Sequence, residues 1–202
     1  MVIYLFTSCR RVDRPTSIPL LRRLSSGNSL TDDDVHSLWA SSPSVIAYET
    51  GKLSAQAFAE DVESDLGLAV SPEDFITNFS GWANSLYPGT MELFEALPNS
   101  LLVAALSNTN EIHWKDIQVL GLAEKFEHVY LSHEIACLKP SREAFGIALT
   151  GMGLKAADVL FLDDSLKNIE VAQSLGFSAQ QVKSALEAKQ VLQHYGVISN
   201  TA

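Results

Sequence analysis

Three short stretches of the chain carry the side chains best suited to chemistry. Ser107-Asn108-Thr109-Asn110 offers a hydroxyl and amide donors. Lys139-Pro140 offers a cation, and Asp163-Asp164-Ser165, with Asn168 four residues past Asp164, offers adjacent carboxylates. Paired aspartates are hard oxygen donors of the kind Mg²⁺ prefers. A hydroxyl with amide donors can hold phosphoryl oxygens, and a lysine offsets the charge that both sides bring. Together these groups describe phosphoryl-transfer chemistry. Each stretch also has a plainer reading. Ser107 and its neighbours could cap a following helix, Lys139 could be a solvated loop lysine, and the aspartates could favour a helix start through its dipole. What tips the balance is position, because each stretch closely follows an apolar run.

Those runs lie at 101–106, 128–131, 159–162 and, more weakly, 179–182. Each precedes a segment of helical character, at 111–120, 142–149, 166–175 and 184–195. Continuous apolar strands between helices indicate a parallel sheet covered on both faces. Sites in such sheets form at the carboxyl ends of the strands, where all three stretches fall. Residues 2–6 supply a possible further strand.

From about Pro15 to Trp82 the signals are helical. Thr31 precedes an acidic first turn at Asp32, Asp33 and Asp34, as an N-cap would. Ser54 opens a helix in which Phe58, Val62 and Leu66 recur every four residues, closed by Gly67. Ser71-Pro72-Glu73-Asp74 starts another with a cap, a proline at the first helical position and two acids. The architecture expected is α/β, a doubly wound parallel sheet with a helical insertion after its first strand.

The chain has 202 residues, 47% of them hydrophobic and 19% charged, which is ample material for a core and excludes a disordered chain. No apolar run approaches the ~20 residues of a membrane span. Cys9 and Cys137 form neither a disulfide framework nor a metal-knuckle spacing, which suits a reduced, cytoplasmic setting. Net charge is −10, although Arg10, Arg11, Arg14, Arg22 and Arg23 near the start face a single acid, Asp13. That early segment reads as an ordinary surface stretch or as a transit peptide. The acidic remainder repels a phosphate backbone and disfavours nucleic acid. No membrane or nucleic-acid partner is expected. His113 and His133 have no clustered ligand partners and read as surface residues, and Trp39, Trp82 and Trp114 read as packing residues.

The three stretches resemble the second, third and fourth motifs of the haloacid dehalogenase (HAD) superfamily. Their wording is most similar to the subgroup of sugar-phosphate phosphatases and the phosphatase domain of soluble epoxide hydrolase. Tyr48-Glu49-Thr50-Gly51-Lys52-Leu53-Ser54 also resembles that subgroup's helical cap. The resemblance implies a Rossmann-like core at residues 1–14 and 86–202 and a cap at 15–85. It implies a Mg²⁺-dependent phosphatase of small phosphorylated metabolites that works through a phospho-aspartate. Ser107 and Asn108 would bind the phosphoryl group. Lys139 would stabilise it and orient the nucleophile, and Asp164 would ligate Mg²⁺ with Asp163 in support.

One departure matters. The family's first motif places a nucleophilic aspartate after the first strand, whereas this chain reads Thr7-Ser8-Cys9-Arg10-Arg11 there. Threonine needs a base to become nucleophilic and is a poor Mg²⁺ ligand. The departure is confined to the first dozen residues, which fits a degenerate member or a misassigned start of the deduced sequence. The expected function is therefore a HAD-like hydrolase by descent. The alternative is a non-catalytic protein that keeps a phosphate or Mg²⁺ pocket.

Overall fold

The computed structural model describes residues 2–5, 31–66, 70–82 and 85–199. Its centre is a five-stranded parallel sheet of β1 (Val2–Leu5), β2 (Val103–Ser107), β3 (His128–Leu131), β4 (Val159–Asp163) and β5 (Ser178–Gln181), in the order β3-β2-β1-β4-β5. The first strand is the middle of the sheet. Ile3 pairs with Val103 on one side and Leu160 on the other. Chain order runs outward from β1 in one direction and then in the other, so the switch of direction lies between β1 and β4. That switch is where doubly wound sheets open a crevice for ligands.

Alternation along the strands sends side chains to both faces. In β4, Val159 and Phe161 join a cluster with Phe145, Ile169 and Phe177, while Leu160 and Leu162 join another with Leu93, Ile117 and Leu192. The first cluster is completed by α8 (Arg142–Met152) and α9 (Leu166–Ser174). The second is completed by α5 (Thr90–Glu95), α6 (Glu111–Val119) and α10 (Ala185–His194). Both faces are thus buried, which is why the strand runs are continuous rather than alternating.

Between β1 and β2 lie α1 (Asp32–Ser41), α2 (Pro43–Glu49), α3 (Ala55–Leu66) and α4 (Pro72–Phe79). Thr31 caps α1 with a reciprocal bond to Asp34, and Ser71 caps α4 ahead of Pro72. These helices close around their own cluster of Trp39, Val45, Tyr48, Phe58, Val62, Phe75, Phe79 and Trp82. Tyr48 stacks on Phe58 at 4.3 Å and 8°, and Trp39 meets Trp82 at 5.2 Å. The tryptophans read as packing residues do pack. Trp39 and Trp82 are buried here, and Trp114 lies against the second cluster of the sheet. Gly67, the expected stop of α3, lies outside the described residues, as do Thr7, Cys9, Asp13 and the five early arginines. Among the described residues no helix is long and apolar enough to cross a membrane.

Candidate functional site

β4 ends on Asp163, which is fully buried, and the next residue, Asp164, is exposed. The two adjacent carboxylates therefore occupy different environments. Asp163 Oδ1 accepts from the Ser165 backbone N–H at 2.8 Å and from Asn168 Nδ2 at 2.9 Å. Its Oδ2 accepts from Lys139 Nζ at 2.6 Å. Three donors on two oxygens, one of them a cation, hold a buried carboxylate that would otherwise be costly. Asn168 lies in the first turn of α9, so Asp163 also ties the end of β4 to the start of the next helix. The spacing Asp163–Asn168 noted in the sequence has this local cause.

Lys139 comes from the loop between the short helix α7 (Ser132–Ile135) and α8, and its peptide bond to Pro140 is cis. Its ammonium is buried, lying 5.6 Å from the centroid of the Phe161 ring. Burial pushes the Lys139 ammonium below its ordinary range, with Asp163 and then Asp164 pulling the other way. Desolvation of the charged form is the larger effect.

The four residues after β2 are each fastened to something different. Ser107, half-buried, closes the strand in register with Leu131. No side-chain hydrogen bond among the described residues joins it to the other candidate groups. Asn108 grips the Lys139 backbone, with Oδ1 accepting from Lys139 N–H at 2.7 Å and Nδ2 donating to Lys139 C=O at 2.9 Å. The Ser132 hydroxyl treats Thr109 likewise, accepting its N–H at 2.9 Å and donating to its carbonyl at 2.8 Å. His133 Nδ1–H adds a 3.2 Å bond to that carbonyl. Asn110 caps α6 by accepting from the His113 N–H at 3.0 Å.

His113 corrects the sequence reading, which placed it on the surface. It is 5% exposed, its ring tilted 35° to that of Phe79 with the centroids 4.2 Å apart. Its Nε2–H donates to the Phe79 carbonyl at 3.0 Å, and its Nδ1 accepts from Asn110 Nδ2 at 3.2 Å. One imidazole thus joins the end of α4 to the start of α6. The only signal of this in the sequence is its place three residues after an N-cap Asn. The Tyr48–Ser54 stretch also meets the core. Gly51, at φ +69°, comes so near that a Cβ there would lie 2.1 Å from the His133 carbonyl oxygen.

The fold brings most of the expected site residues together. Lys139 and Asp163 touch, Asn108 reaches Lys139 through its backbone, Asp164 acts on Lys139 through charge, and Ser107 stands at the same carboxyl end of the sheet. Asp163 spends its oxygens on three donors inside the fold, whereas Asp164 beside it is exposed at the same strand end. Among the described residues no three His, Cys, Asp or Glu side chains cluster as a metal cage. One carboxylate still suits Mg²⁺, which commonly binds through one or two carboxylates, waters and substrate phosphate.

The model of the haloacid dehalogenase-like hydrolases matches residues 32–176, which run from α1 through β4 and α9. The chain belongs to this family. One relative is D-ribitol-5-phosphate phosphatase of Bacteroides thetaiotaomicron, 26% identical over 151 residues that cover 71% of this chain and 73% of the relative. A HAD family enzyme crystallised from the same organism superposes with a TM-score of 0.75 at 24% identity, covering 95% of this chain and 96% of that one. A variant of that enzyme, in complex with magnesium and inorganic phosphate, superposes with a TM-score of 0.71 at 25% identity, covering 91% and 93%. Membership agrees with the doubly wound order of the sheet and with the three strand-end stretches of the sequence.

Proposed function

We propose that the chain descends from Mg²⁺-dependent phosphatases of small phosphorylated metabolites, keeps the phosphate-facing half of their site, and turns substrate over weakly or not at all. The observation that carries this reading is the buried Lys139–Asp163 pair at the carboxyl end of the sheet. A buried lysine beside an exposed aspartate makes an anion site with a metal-binding edge, and a charge so costly to bury suits a site that receives an anion. The phosphatase name of the Bacteroides relative and the magnesium and phosphate in the related crystal structure support the substrate class and the ion.

In this reading the Ser107 hydroxyl and the Asn108 backbone N–H donate to phosphoryl oxygens, while Lys139 neutralises their charge. Asp163 holds Lys139 and the start of α9 in place. Asp164 would hold Mg²⁺, which when bound withdraws charge from the phosphoryl group. Residues 15–85 form a cap over the core, which spans 1–14 and 86–202, and the cap sets which metabolite enters. The protein works in the cytoplasm, in keeping with a sequence that has only two cysteines. Turnover fails for want of a nucleophile, because the sequence after β1 has no carboxylate before Asp13. The second reading, a phosphate-binding protein without catalysis, shares every one of these contacts and differs only in turnover.

Calorimetric titration of inorganic phosphate into the full chain, with and without Mg²⁺, tests the site. Binding is expected, strengthened by Mg²⁺, weakened roughly tenfold by Ser107→Ala through one lost charge-assisted bond, and insensitive to Mg²⁺ in Asp164→Asn. A chain that binds no phosphate under either condition contradicts the proposal.

A further inference from the structure

We propose that Asn108 is a positioning residue for Lys139. Its carboxamide holds the lysine backbone so that the ammonium stays on Asp163, and its plane is set by that task rather than by a bound phosphoryl group. The inference deepens the reading above, in which Lys139 faces the phosphoryl group.

Lys139 has an unusual task for its place in the chain. It sits in a loop between α7 and α8, where no strand ladder fixes the backbone, yet its ammonium must reach a buried carboxylate 24 positions later. A lysine stem has four flexible bonds, and desolvation drives its charge back toward water. Something must hold the base of that stem.

The Asn108 side chain does so with two bonds to a single residue, at 2.7 Å to the N–H and 2.9 Å to the carbonyl. Two bonds from one planar group fix both the position and the rotation of what they grip, as a bidentate pair does. Asn108 is itself placed by β2, whose register with β3 carries through Ser107↔Leu131. The line from the sheet to the ammonium therefore runs β2, Asn108, Lys139 backbone, Lys139 Nζ, Asp163. A carboxamide suits the work because it carries a donor and an acceptor side by side. Aspartate would repel the Lys139 carbonyl, and alanine would release both groups.

A second clamp supplies the control. Ser132, at the start of α7, grips the backbone of the next residue, Thr109, also with two bonds, buried where those of Asn108 are partly buried, without touching Lys139. Loss of either clamp removes two hydrogen bonds, but only one of them bears on the lysine.

The test is pulse acylation of amines in the full chain without phosphate or Mg²⁺, with Lys139 followed by peptide mass spectrometry. Parent, Asn108→Ala, Asn108→Asp and Ser132→Ala are compared under conditions where circular dichroism shows each to be folded. Lys139 is expected to label about tenfold faster or more in Asn108→Ala, the effect of losing two net hydrogen bonds, and faster than the parent but less so in Asn108→Asp, which loses the donor and keeps the acceptor. Ser132→Ala is expected to lower the unfolding midpoint while Lys139 labels at the parent rate. If one Asn108 variant does not fold, the other decides. Unchanged Lys139 labelling in a folded Asn108 variant overturns the proposal, and so does equal acceleration in Ser132→Ala. Because no ligand is present, an effect cannot come from a lost phosphate contact. A chain that fails to bind phosphate would refute the proposed function and leave this result standing.

Discussion

Lys139 and Asp163 form an ion pair of 2.6 Å with both side chains shut away from solvent, where the sheet opens at its carboxyl end. A buried pair of this kind is costly to assemble and more costly to break. Its two halves are supported independently, Asp163 by Ser165 and Asn168, and Lys139 by Asn108. The pair is thus a preformed element of the fold.

Removal of one partner should show this directly. Asp163→Asn leaves the Lys139 ammonium without its anion and is expected to cost about 3–5 kcal/mol in urea unfolding. The double change Asp163→Asn with Lys139→Met removes the stranded charge and should recover a good part of that loss. A double variant no more stable than Asp163→Asn alone would show that the two residues are not coupled.

The same burial makes a prediction about pH. The folded chain holds the Lys139 proton less tightly than the unfolded chain, whose lysine has the ordinary value of 10.5. Below the folded-state value the penalty for burying the charge is complete, and it fades as pH rises toward 10.5. Unfolding free energies of the parent and Lys139→Met, compared from about pH 8 upward, should therefore shift in favour of the parent. A difference that moves the other way would mean that the pair raises the lysine instead.

Gly51 tests how the helices after β1 meet the core. Its φ of +69°, and the 2.1 Å that would separate a Cβ from the His133 carbonyl oxygen, leave no room for alanine. Gly51→Ala is expected to cost roughly 1–3 kcal/mol through backbone strain and displacement of α7. Hydrogen exchange should quicken at residues 132–135. Parent-like exchange there would mean that the contact is not a close one in solution.

Much of this fold can be read from the residues. The run at 128–131 is β3 to the residue, and 159–162 needs only Asp163 to become β4. Helix starts are legible at Thr31, Ser71 and Asn110, where a side chain caps locally, although the Ser42 cap and Pro43 that open α2 are not singled out in the sequence reading. The first apolar run is legible as a strand, but its central place comes from pairing with two partners about a hundred or more residues away. Other features stay hidden because their causes are tertiary. α5 and α7 are six and four residues long, too short to show a helical period. The Asn108–Lys139 clamp joins positions 31 apart, and no local pattern marks which backbone a carboxamide will grip. His113 reads as a surface residue for a related reason. Its burial depends on Phe79, 34 positions earlier and on another helix.

In the proposed function this family member keeps the phosphate-facing residues and lacks the nucleophile. The most direct test is Mg²⁺-dependent hydrolysis of an aryl phosphate and a panel of sugar phosphates by the chain and by its Thr7→Asp, Cys9→Asp double variant. The account predicts little or no turnover from the chain and clear turnover from the double variant. Robust turnover by the chain itself, abolished by Asp164→Asn, would contradict it and place the nucleophile elsewhere.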